Sequence, residues 1–103
     1  MITKTVRSGQ EIYSEKPIVI IGDVSAAAEV ASNSSIHIYG ELRGKAMAGV
    51  RGDLKSHIFA LSSQAELVAI GKQFVVSEQS SLLSFKTPSR YAIMDKKIKV
   101  FSL

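Results

Sequence analysis

Cysteine and tryptophan are absent from this chain of 103 residues, proline occurs only 2 times and histidine 2 times. Without cysteine there is no disulfide framework and no thiolate metal site, which fits a reducing compartment. No run approaches the ~20 apolar residues that a membrane-spanning helix needs, and the N-terminus lacks the apolar stretch of a secretory signal. These absences predict a cytoplasmic protein. Aromatics are only 7% of the residues, so a core must rest on isoleucine, valine, leucine and alanine. The length suits a single domain over residues 1–103.

Catalytic signatures are missing as well. There is no phosphate-binding glycine loop and no G-x-S-x-G elbow. The histidines, His37 and His57, both lie in strand-like patterns. They could stack on neighbouring coils of a repeat, but two histidines without a third ligand make a weak metal site. Asp23 and Glu41 could form an acid–base pair across adjacent coils; a charged ladder on a solvent face is the plainer reading. No enzyme activity, metal or cofactor is expected. The net charge is +4, and basic residues gather near the end, where Lys86, Arg90, Lys96, Lys97 and Lys99 stand against Asp95. With no aromatic stacking platform beside them, they read as a solvated face rather than a nucleic-acid surface.

What is present is alternation. Ile36, Ile38 and Leu42 point one way, and His37, Tyr39 and Glu41 the other, a period of two that predicts β-strand. Gly40, Gly44 and Gly49 interrupt it, as glycines do at bends and close backbone approaches. The β-branched run of residues 18–21 is a second strand. Laid under the first segment, it matches: Ile18 and Ile20 fall on Ile36 and Ile38, Gly22 on Gly40, Val24 on Leu42, Ala28 on Ala46 and Val30 on Ala48. The constant shift of about 18 residues suits one coil of a solenoid.

A third, looser copy follows an insertion at residues 51–55. Its strands are expected over 57–61 and 65–69, with Ala65, Leu67 and Ala69 matching Ala46 and Ala48. Residues 25–31 are expected to be strand rather than helix, because they are too short for a stable helix and the repeat equates them with Ala46–Ala48. Residues 71–77 continue as strand, and 80–83 could form one helical turn. Two final strands, over 91–94 and 98–103, flank Asp95, Lys96 and Lys97 and read as a cap, because an open solenoid end would aggregate.

Several motifs recur in order: Arg-Ser-Gly-Gln-x-Ile-Tyr from Arg7, Gly-Asp-Val-Ser-Ala-x-Ala-Glu-Val from Gly22, Ile-His-Ile-Tyr-Gly-x-Leu-Arg-Gly-Lys-Ala-x-Ala-Gly from Ile36, and Ala-Glu-Leu-Val-Ala-Ile from Ala65. Together they resemble the C-terminal domain of MinC, a family of bacterial septum-site-determining cell-division inhibitors. The likeness runs from about Val6 to Ser77 and is specific. It implies an all-β fold, a short right-handed parallel β-helix with coils of about 18 residues and a C-terminal capping strand pair.

The resemblance also implies partners: a homodimer formed through an apolar outer face, and ATP-bound MinD, the membrane-associated ATPase that recruits MinC to the inner face of the cell membrane. The family's Arg-Ser-Gly-Gln signature, tied to MinD binding, is here Arg7, Ser8, Gly9 and Gln10. The basic residue after Leu-Arg-Gly is Lys45, where the family often has arginine. The small residue inside Ser-Ala-x-Ala-Glu, often glycine, is Ala27. Antagonism of FtsZ, which keeps the Z-ring from assembling away from the division site, is carried in the family mainly by an N-terminal domain expected to be absent here. Membrane contact would then be indirect. The alternative is a structural β-solenoid that polymerises on itself.

Overall fold

Isoleucine and valine pack well on a pleated surface but lose side-chain freedom in a helix. The β-branched runs form strands accordingly. The computed structural model describes residues 1–77 and 83–103. Its strands are β1 (Glu11–Ser14), β2 (Ile18–Ile20), β3 (Glu29–Ser32), β4 (Ile36–Leu42), β5 (Lys45–Ala48), β6 (Ile58–Gln64), β7 (Leu67–Ile70), β8 (Gln73–Val76), β9 (Ser84–Phe85), β10 (Ser89–Met94) and β11 (Lys97–Ser102). No α-helix occurs among the described residues, so none there is long and apolar enough to cross a membrane.

The strands fall into two sheets, ordered β1-β3-β5-β7-β8 and β11-β10-β6-β4-β2. Pairing is parallel among β1, β3, β5 and β7 and among β2, β4 and β6. From β1 to β7 successive strands alternate between the sheets, so the chain winds as a β-solenoid of about three turns. A narrower third side is marked by the parallel bridges Val6–Val24 and Val24–Leu42.

Like side chains stack inside. Ile18, Ile36 and Ile58 share one column, and Ile20, Ile38 and Ala60 the next. Val30, Ala46 and Val68 face them from the other sheet. All are buried, and each isoleucine or valine taken out of water contributes ~1.5–3 kcal/mol.

The constant shift holds between the first two coils on both sheets, where Ile12 meets Val30 and Ile18 meets Ile36, and fails after them. Val24 likewise meets Leu42, as the repeat predicts. Val30, however, pairs with Ala46 and not with Ala48. Residues 25–28 are turn rather than strand, and only β3 is extended. The next coil turns the same corner in fewer residues because Gly44 sits there. A Cβ on Gly44 would collide with the backbone carbonyls of Ala28 and Ser25.

The insertion then lengthens the following coil, so that Ile36 meets Ile58. In β7 the inward residues are Val68 and Ile70, which pair with Ala46 and Ala48. Leu67 and Ala69, expected inside, instead pair with Lys45 and Met47 on the outer side. Ala65 is buried at the corner itself.

Winding stops after β7. β8 is strand, as expected, but folds back antiparallel on β7. β9 pairs antiparallel with the end of β6. β10 and β11 form the closing antiparallel pair, with β10 laid on β6. Tyr91 of β10 is fully buried. Its hydroxyl donates to Ser63 Oγ at 2.8 Å and lies 3.0 Å from the Leu83 carbonyl. The helical turn expected over 80–83 lies outside the described residues except for Leu83.

Candidate functional site

One edge of the solenoid is built from turns, one per coil. In the first, Arg7 N–H donates to Gln10 Oε1 at 2.7 Å, and Gln10 N–H donates to the Arg7 carbonyl at 2.9 Å. The Gln10 side chain thus closes its own loop, and Gly9, at φ +85, supplies a left-handed backbone that favours glycine. Ser25 and Ala28 close the second turn, with Ala28 N–H donating to the Ser25 carbonyl at 3.0 Å. The third corner is Arg43, Gly44 and Lys45.

Backbone hydrogen bonds lace these turns together. Gly9 N–H donates to the Ala27 carbonyl at 3.0 Å, Glu29 N–H to the Gln10 carbonyl at 2.9 Å, and Lys45 N–H to the Ala28 carbonyl at 2.9 Å. The six residues singled out in the sequence, Arg7, Ser8, Gly9, Gln10, Ala27 and Lys45, therefore lie on one continuous corner, and all are exposed. The Arg7 guanidinium and the Lys45 ammonium pair with no carboxylate among the described residues. Ala27 has φ +64, the conformation that makes glycine the easier residue at this position.

Sequence reasoning missed Glu66. From the coil after Lys45, its backbone N–H donates to the Gly44 carbonyl at 2.9 Å, and its Oε1 accepts the Ala27 N–H at 2.6 Å. The signal was available, because Ala65-Glu66-Leu67 echoes Ala28-Glu29-Val30 and so marks the same corner.

Asp23 and Glu41 do not form the expected charged ladder. Asp23 Oδ1 accepts the Glu41 N–H at 2.7 Å, bonding to backbone beside the close approach of Gly40 to the Gly22 carbonyl. The Glu41 carboxylate meets Arg43 at 3.3 Å instead.

A second surface is the outer side of the β11-β10-β6-β4-β2 sheet. There His37, Tyr39, His57, Phe59, Arg90 and Phe101 line a shallow groove. Tyr39 and Phe59 rings lie 5.4 Å apart, and Arg90 covers the Phe101 ring at 5.5 Å, within cation–π range. Tyr39, Leu61 and Ile21 are exposed nearby. The two histidines meet on neighbouring coils, as the repeat suggested. Burial, with the charges of His37 and Arg90 behind it, holds the His57 imidazole below its ordinary pKa of 6.5. No group of three or more metal-ligating side chains occurs among the described residues.

Fold and corner together define a short parallel β-solenoid that displays ordered turns along one edge. Comparison with known proteins gives its family. Residues 1–103 match the family described as septum formation inhibitor MinC, C-terminal domain, and the chain belongs to that family.

Two similar proteins are the probable septum site-determining proteins MinC of Yersinia pestis (strain Pestoides F) and Yersinia pseudotuberculosis serotype O:1b (strain IP 31758). Each is 41% identical over 101 residues, covering 97% of this chain and 44% of the relative. The chain thus spans less than half the length of these curated relatives. A solved structure described as the MinC:MinD cell division protein complex of Aquifex aeolicus superposes with a TM-score of 0.91 at 34% identity, covering 99% of this chain and 84% of that one.

Proposed function

We propose that this chain is the partner-binding part of a cell-division inhibitor, using its turn-built corner to bind the ATP-loaded form of MinD. The observation that carries the reading is the convergence of Arg7, Ser8, Gly9, Gln10, Ala27 and Lys45 on one edge, laced by backbone bonds. The likeness to a chain solved in a MinC:MinD complex supports it. Arg7 offers a planar fork of donors suited to a carboxylate or carbonyl pair, and Lys45 a point charge. The turns that carry them are ordered before binding, which lowers the entropic cost of association.

The same reading gives the apolar outer side of the β11-β10-β6-β4-β2 sheet to a second copy of the chain. A flat, aromatic-bearing face can pair with itself about a two-fold axis. Recruitment to the membrane through MinD, and the restraint of FtsZ away from the division site, are then tasks of the whole inhibitor. The decisive experiment is binding to immobilised MinD with ATP and without it. Binding should require ATP, and Arg7→Ala should weaken it by about tenfold or more. Unchanged affinity in Arg7→Ala would remove the corner from the reading. Sedimentation should plateau at a dimer that Tyr39→Glu dissociates; filaments formed without a partner would favour the self-polymerising solenoid instead.

A further inference from the structure

The turn holding Ala27 is tied down from far along the chain. Ala27 occupies a left-handed conformation, at φ +64, that a residue with a Cβ adopts reluctantly. Its carbonyl accepts the Gly9 N–H at 3.0 Å, so whatever holds Ala27 also holds the Arg7–Gln10 turn beneath it. Its own N–H points away from that turn and is taken by Glu66 Oε1 at 2.6 Å, a short contact of the charge-assisted kind.

Glu66 is itself fixed on the backbone. Its N–H donates to the Gly44 carbonyl at 2.9 Å, next to Lys45. The Glu66 side chain therefore links the coil after Lys45, whose backbone rests on Gly44, to the turn carrying Ala27, and through Ala27 to Gly9. Among the described residues the Glu66 carboxylate joins no salt bridge, which leaves the Ala27 amide as its recorded partner.

We infer that Glu66 is a positioning residue for the partner-binding corner, setting the geometry of the Ala27 and Arg7–Gln10 turns through the Ala27 amide. This rests on the proposed role of that corner. Both residues are exposed, so on loss of the carboxylate water replaces it at the amide and the fold survives. What is lost is order in the turn before binding, and that loss is felt as affinity.

The test compares three variants of the chain for binding to immobilised ATP-loaded MinD. Glu66→Ala should weaken binding about fivefold to tenfold, the effect of losing one solvent-exposed hydrogen bond. Glu66→Gln keeps an acceptor oxygen and should restore most of the affinity. Arg7→Ala is the control on the corner itself. If Arg7→Ala weakens binding and Glu66→Ala does not, the positioning role is wrong while the corner stands. If neither weakens it, the corner has been misassigned. Equal losses in Glu66→Ala and Glu66→Gln would show that charge is read directly by the partner, and would also overturn the inference. Amide exchange in the unmodified chain needs no variant: the Ala27 N–H should exchange slowly, and unprotected exchange would remove the contact on which the argument stands.

Discussion

His37 and His57 meet end to end, Nε2 to Nε2, at 2.8 Å across neighbouring coils. One nitrogen must donate and the other accept, so a single proton lies between the rings. The His57 backbone N–H donates to Ser35 Oγ at 2.9 Å, which keeps this strand end in place.

Acid should therefore weaken the fold through His57. Its folded pKa is depressed below 6.5, by burial first and then by His37 and Arg90. An unfolded chain takes up the proton at higher pH than the folded one. The stabilising contribution is thus fully present above 6.5 and is lost as pH falls through the folded value. Thermal melts across that window should show a declining Tm, and His57→Gln should flatten the decline. A profile unaltered by the substitution would assign the acid sensitivity elsewhere.

Base should act through Tyr91. Burial raises its hydroxyl to about 12 from the ordinary 10.0, partly offset by its bond to Ser63. The unfolded chain then loses the proton first. Stability is fully present below 10.0 and falls as pH rises toward about 12. Tyr91→Phe should remove this alkaline loss and cost ~1–2 kcal/mol at neutral pH, because Ser63 loses a buried partner. Chemical denaturation at the two pH values reads both effects.

Gly44→Ala should be far more damaging than an exposed substitution. The added Cβ meets the Ala28 and Ser25 carbonyls, which are backbone and cannot swing away. A loss of ~2–4 kcal/mol is expected, with the proposed binding to MinD impaired at the same time because Lys45 and the 25–28 turn must move apart. Wild-type stability in this variant would show that the corner is looser than its geometry indicates.

Ala27→Gly should go the other way. It relieves the strain of a left-handed alanine, ~1–2 kcal/mol, while a freer unfolded chain takes back ~0.4–1 kcal/mol. A net gain of roughly 0.5 kcal/mol corresponds to a rise of a few degrees in Tm for a domain of this size. A lower Tm would mean that the strain is already absorbed by the surrounding hydrogen bonds.

Much of this was legible in the residues. The alternation around Ile36 and Ile38 and the repeat that places Ile18 under Ile36 carry the parallel winding, because side-chain burial on one face fixes strand register. The pairing of Val30 with Ala46 was hidden. It depends on a corner shortened by Gly44, and a repeat read at constant spacing has no means of registering a tighter turn. The reversal at β8 was hidden too: Gly71 is one more glycine among several, and direction is not written in a period of two. At the site, Arg7, Gly9 and Gln10 stand out as a turn with a cation, but their closeness to Ala27 and Lys45 exists only after winding. Glu66 was the least visible, because an exposed glutamate on a strand shoulder reads as solvent-facing until the Ala27 amide is found beside it.

Turns stacked one per coil have a further consequence: they form a ruler. Neighbouring parallel strands rise by ~4.8 Å, so the backbone corners that carry Arg7 and Lys45, two rungs apart, are held roughly 10 Å apart along the solenoid axis. A protein that grips this edge must carry acceptors at the same pitch, and lengthening a loop elsewhere in the coil, as residues 51–55 do, leaves the graduation unchanged.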